Sequence, residues 1–201
     1  VFKTSSMSLC AEYQGKCTPD IFARTLRDAG LQYGECLLVV ENNSVGFAVL
    51  DKLVDMSYPN IYYSIKSTHE YVDQYQAEYR SNAVPGFTTS NKTRPLIIAK
   101  MEEFIRNKLV TIRSKRLYNE MKTFVWNNGK PQAMRSYNDD LIMSCAIACW
   151  VRDTIFAENV KELELKKSLI NGIRSSRNTL DTSIPGMVGY NKNKSQFNSI
   201  I

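Results

Sequence analysis

Cys36-Leu37-Leu38-Val39-Val40-Glu41-Asn42-Asn43-Ser44 is the stretch on which the fold turns. Its unbroken apolar run from Cys36 to Val40 is the length of a strand and shorter than a buried helix. A strand with no polar alternation needs cover on both faces, which is the condition of a sheet layered between helices. The expectation is therefore an α/β domain with a mixed central sheet flanked by helices on both faces. Glu41 then stands at the carboxyl end of the strand, where open α/β sheets place their ligands.

The flanking sequence supplies the helices and further strands. Upstream, Met7 to Gly15 has strand character, and Thr18-Pro19-Asp20 opens a helix, with Pro19 at its first position, that stops near Gly30. Downstream, Val45, Val49, Leu50 and Leu53 form the stripe of a helix reaching about Met56, and Ile61 to Ser64 reads as a strand. Residues 67–91 are polar and Tyr-rich and read as an excursion or hairpin on the sheet rim. Thr93-Arg94-Pro95 starts a helix held to the core by Leu96, Ile97, Met101, Phe104 and Ile105. A short strand (Val110 to Ile112), a helix from about Ser114, and a turn at Asn127-Asn128-Gly129-Lys130 follow. The last core helix begins around Asp139 and is apolar through Trp150. The expected organisation is a core domain over 1–152, a helical extension over 153–172 and a flexible tail over 173–201, where Ser, Asn, Lys and Gly accumulate.

Composition narrows the function classes. The chain has 201 residues, 43% of them hydrophobic, enough for one core. A net charge of +6, from 26 basic against 20 acidic residues, favours a polyanionic partner. The five cysteines are odd in number and lack CxxC spacing, so they read as reduced, buried residues of a cytosolic protein. With His69 the single histidine, zinc catalysis is disfavoured. No run of about 18 apolar residues suggests a membrane span. The start at Val1 has no secretory pattern and reads as an excerpt of a longer polypeptide or an incomplete reading frame.

Two acidic sites adjoin apolar core elements: Glu41 after its strand, and Asp139-Asp140 before the last core helix. Each has a plainer account as a helix-capping or first-turn acid. Together, in a basic chain almost without His, they suit oxygen-ligated Mg²⁺ or Mn²⁺ and phosphodiester hydrolysis. Lys66, Arg80, Lys92, Arg94, Arg113, Lys115 and Arg116 are candidates for a basic cradle, and Tyr71, Tyr75, Tyr79 and Phe87 for stacking on DNA.

Three segments, in this order, carry a family resemblance: Leu38 to Gly46; Gly86-Phe87-Thr88-Thr89-Ser90 with Lys92-Thr93-Arg94-Pro95; and Tyr137-Asn138-Asp139-Asp140-Leu141-Ile142-Met143-Ser144. Over roughly residues 1–152 the chain resembles the nuclease domain of tailed-bacteriophage large terminases, the DNA-packaging motors. The resemblance implies an RNase H-like fold and a metal-dependent endonuclease that cuts concatemeric DNA. It makes Glu41, Asp139 and Asp140 catalytic and metal-binding residues, with one or two Mg²⁺ or Mn²⁺ ions, and leaves open which aspartate touches metal. It puts Lys66, Arg80, Lys92 and Arg94 against double-stranded DNA. The portal protein and small terminase subunit become partners, in the cytoplasm of an infected host. The family's first metal-binding Asp precedes the residue aligned with Val1, so this stretch is expected to lack the first strand and one acid. A Gly-x-x-x-x-Gly-Lys-Ser/Thr loop is absent from it. Two other readings are another RNase H-like nuclease, of resolvase or integrase type, and a catalytically idle DNA-gripping or portal-docking module.

Overall fold

The structure, a computed structural model, describes residues 1–65 and 71–178. Lys66, His69 and residues 179–201, with most of the expected tail, lie outside the described residues. In chain order the elements are β1 (Phe2–Lys3), β2 (Ser8–Leu9), α1 (Pro19–Gln32), α2 (Val45–Asp55), β3 (Tyr63–Ile65), β4 (Tyr71–Val72), α3 (Gln74–Glu78), β5 (Ala83–Pro85), α4 (Thr93–Arg106), α5 (Lys115–Lys122), β6 (Phe124–Asn127), β7 (Lys130–Ala133) and α6 (Asp140–Asn178). The chain is mixed α/β. Its two compact units are Val1–Glu158 and Asn159–Ile201.

Within the first unit, local chemistry accounts for most boundaries. Thr18 is extended and Pro19 takes the first turn of α1, where a missing N–H costs nothing. Ser114 caps α5 by accepting the Leu117 N–H at 2.9 Å. Asn128 and Gly129 both have positive φ, 49° and 76°, which turns β6 back onto β7 in register Asn127↔Lys130.

Strand pairing is more fragmented than the sequence suggests. Among the described residues the ladders are antiparallel and small: β1 with β2, β6 with β7, and a three-stranded sheet in the order β4-β3-β5. Within the polar stretch, β4 and β5 pair with the two sides of β3 and form the edges of this small sheet. Among the described residues parallel pairing is confined to isolated bridges, Ser8↔Thr111, Leu38↔Ile61 and Glu41↔Phe87. The expected strands at 36–40 and 110–112 are extended chain with single bridges, and among the described residues no one continuous sheet forms.

The reason at 36–42 is legible in the hydrogen bonds. Leu38 pairs with 60–62 (Leu38 N–H to Asn60 O, 2.9 Å; Tyr62 N–H to Leu38 O, 2.9 Å), and Val40 and Asn42 pair with Phe87 (2.8 and 3.0 Å). The partner changes within three residues because Gly86, bonded to Tyr62 O at 2.7 Å, brings the end of β5 onto the same edge. Gly86 has φ +85°, and a Cβ there would lie 2.6 Å from Val40 O and from a Leu50 methyl. All these bonds use residues 38, 40 and 42. Among the described residues Leu37 and Val39 make no backbone hydrogen bond.

Cover on both faces holds as expected. Cys36, Leu38 and Val40 pack with Ala23, Leu50, Leu53 and Ile61, the cluster of α1 and α2. Leu37 and Val39 pack instead with Ile97, Met101, Ile142, Ala146 and their neighbours, the cluster of α4 and α6. That alternation is the period of two of an extended chain. Leu38 is buried, whereas Val40 is only half-buried. In α4 the core contacts come from Ile97, Ile98, Met101 and Phe104, while Leu96 and Ile105 are exposed. Cys145 and Cys149 are buried and free, but Cys10 and Cys17 are exposed, so burial explains only part of the cysteine set.

In the second unit the chain is helical from Asn159 through Asn178, beyond residue 172 where the composition suggested a tail. Leu163, Leu165, Leu169 and Ile170 are exposed there. Among the described residues no helix is long and apolar enough to cross a membrane.

Candidate metal centre

Glu41 ends the extended segment. Its bridge to Phe87, a core residue on the α4 and α6 side, and the alternation from Leu37 and Val39 put its side chain on that same face. The chain then folds back sharply into α2. Ser44 has φ 48° and ψ −110°, a strained combination for a residue with a Cβ, and the Gly46 N–H donates to Asn43 O at 2.9 Å. A Cβ on Gly46 would fall 1.7 Å from the Glu41 carbonyl oxygen, so only glycine fits there. Asn43 Nδ2 donates to Glu41 Oε1 and to Thr89 O, both at 3.0 Å, joining the carboxylate to the Thr88-Thr89-Ser90 loop. Asn42, buried on the opposite face, donates to Pro85 O at 3.1 Å.

The start of α6 is held from outside itself. Asp139 occupies the N-cap position, yet its Oδ2 is taken by the Arg94 guanidinium and, at 3.3 Å, the Ala133 N–H. Arg94 Nε also donates to Pro131 O at 2.9 Å, so this residue pins both β7 and the α6 start to α4. The first free N–H groups of α6, at Leu141 and Ile142, are capped by Glu120 Oε2 of α5 at 2.9 and 3.2 Å. Burial foremost, with the charges of Asp140 and Asp139, holds Glu120 above the usual carboxylate range despite those two donors. Asp140 is exposed, and its carboxylate has no hydrogen bond or ion pair among the described residues.

The sequence-derived acids thus separate into roles. Asp140 and Glu41 offer oxygen donors of the kind hard divalent cations take, whereas Asp139 is committed to Arg94. Among the described residues no three acids, cysteines or histidines are grouped closely enough to hold a metal ion. The structure does not assemble Glu41, Asp139 and Asp140 into one cluster. Glu120 was missed in the sequence because it is one charge among several in Lys115-Arg116-Leu117-Tyr118-Asn119-Glu120-Met121-Lys122, and only the packing of α5 against α6 distinguishes it.

Of the four basic residues expected against DNA, Arg80 and Lys92 are exposed and Arg94 is engaged as above. Lys66 lies outside the described residues. Arg113 and Lys115 are exposed, and Arg116 pairs with Glu12 at 2.7 Å. The aromatic candidates also divide. Tyr71 packs on Tyr62 and Phe87 is buried, while Tyr75 and Tyr79 form an exposed edge-to-face pair. Compared with known proteins, the chain matches no family model and no curated sequence.

Proposed function

We propose that this chain is an RNase H-like nuclease domain of the large-terminase type, which cuts double-stranded DNA with Mg²⁺ or Mn²⁺. What supports this reading is an unengaged Asp140 carboxylate at the head of α6, together with Glu41 at the end of the extended segment whose Leu37 and Val39 pack with the α4 and α6 cluster. Glu41 and Asp140 would hold the metal, and Asp139 would support them. A bound ion supplies an activated water and charge neutralisation at the leaving oxygen. The chain's own part is to orient oxygen donors, through Asn43 on Glu41 and through the fixed first turn of α6 on Asp140. The exposed Arg80 and Lys92 and the net charge of +6 suit a phosphate backbone. The partners that go with this reading are a portal protein and a small terminase subunit, in the cytoplasm of an infected cell.

The test is nicking of supercoiled plasmid with Mg²⁺ or Mn²⁺ by the wild type, Glu41→Ala and Asp140→Ala. Loss of nicking in both variants, with melting and DNA binding retained, is the expected result. Undiminished nicking by a folded Glu41→Ala protein overturns the assignment. DNA binding without nicking under any divalent ion favours the DNA-gripping module instead.

A further inference from the structure

We propose that Glu120 is the positioning residue for Asp140, acting as an N-cap supplied in trans; the inference rests on the metal-site reading above. A helix that begins Asp139-Asp140 would ordinarily be capped by Asp139, whose side chain would accept the N–H groups two and three residues on. Those groups belong to Leu141 and Ile142, and both are taken by Glu120 Oε2, at 2.9 and 3.2 Å. The displaced Asp139 carboxylate turns to Arg94 and Ala133. A side chain from α5 thereby does the capping that a local side chain usually does, and Arg94 of α4 holds the carboxylate so released.

The exchange has a consequence for Asp140, the first residue of α6 and the one between the two grips. The first turn of an uncapped helix frays, and a ligand on it loses its direction. With Asp139 fixed to α4 through Arg94, and the Leu141 and Ile142 amides fixed to α5 through Glu120, the backbone on either side of Asp140 is held while its carboxylate stays free. Glu120 acts through the hydrogen-bond acceptor it presents, not as a ligand. A glutamine, whose Oε1 accepts equally well, should replace it, whereas alanine should not.

The experiment titrates Mn²⁺ by calorimetry into the wild type, Glu120→Ala, Glu120→Gln and Asp140→Asn, with a melting curve for each. Glu120→Ala should weaken Mn²⁺ binding by about 10-fold, the lower end for loss of a residue that orients a metal ligand. Glu120→Gln should return it to within about 2-fold of wild type, since its cap is intact. Equal weakening by alanine and glutamine overturns the positioning role in favour of a direct charge effect. Wild-type affinity in Glu120→Ala, with binding lost in Asp140→Asn, overturns the role of Glu120 alone. Binding unaffected by Asp140→Asn, or no Mn²⁺ binding by wild type, overturns the metal-site reading and this inference with it. Should Glu120→Ala fail to fold, a folded Glu120→Gln that loses more than about 2-fold in affinity overturns the positioning role, because its amide oxygen keeps the cap.

Discussion

Arg94 on α4 and Asp139, immediately before α6, form an ion pair in which both side chains are about three-quarters covered, 27% and 22% exposed. The two residues lie 45 positions apart, and the pair also gathers Pro131 O and the Ala133 N–H. A partly buried charge is costly when its partner is removed, because the survivor stays desolvated. Asp139→Ala should therefore cost about 2 kcal/mol of stability, less than a fully buried pair would. In urea unfolding, a double-mutant cycle with Arg94→Ala should show coupling of at least about 1 kcal/mol. Additive single losses would refute the clamp. Arg94→Lys should not restore stability, since one ammonium cannot reach Asp139 and Pro131 O as the forked guanidinium does.

Asp140 should behave in the opposite sense. Its exposed carboxylate has no partner among the described residues to lose, so Asp140→Ala should leave the urea midpoint nearly unchanged, within about 0.5 kcal/mol of wild type. Under the proposed function the same change removes plasmid nicking. The contrast between neighbours, one structural and one chemical, is read from a single pair of variants.

Among the described glycines, Gly46 should be the one least tolerant of alanine. Its Cβ would stand 1.7 Å from Glu41 O, backbone that has no rotamer through which to yield. The α2 start must shift, at a cost of about 3 kcal/mol or more. Circular dichroism melting would measure the loss, and a melting temperature within a degree or two of wild type would show the Glu41–Gly46 turn to be softer than its geometry implies.

Tyr58 closes the α1 and α2 side by donating from its hydroxyl to Cys36 O at 2.6 Å, and burial pushes its phenol up to about 12. Tyr58→Phe should lose about 1 to 2 kcal/mol, the value of a buried hydrogen bond whose acceptor is left unpaired. Gly30→Ala should lose more, because its Cβ would meet the same hydroxyl at 2.3 Å. Chemical denaturation of the two variants sets the order. A milder effect of Gly30→Ala would contradict it.

Acid should loosen the segment before α1. The Ser114 hydroxyl and the Arg116 guanidinium bond the Glu12 carboxylate and hold it below its ordinary 4.5. A depressed folded value favours the charged form, so this contribution is present above about 4.5, the unfolded value, and is lost as pH falls through the folded one. Glu12→Gln should flatten the loss of stability below that pH while leaving neutral-pH melting slightly lowered. An unchanged acid limb would show that Glu12 is not coupled to folding.

The sequence by itself determined the α/β class, the starts of α1, α4 and α5, the turn at Asn128-Gly129 and the two-sided burial of the Cys36–Val40 run. Each depends on chemistry within a few residues: proline at a first turn, a serine cap, positive φ, or apolar spacing. The nearness of Asp139 and Asp140 to the apolar helix was legible for the same reason. Tertiary structure alone decided that 36–42 pairs along one edge with two successive partners, since Gly86 must bring β5 beside it. It also decided that Asp139 is spent on Arg94 while Glu120 caps α6. Neither was readable in sequence, because a carboxylate's role depends on which donors the fold brings within about 3 Å of it, and these donors lie on elements 21 to 45 residues away.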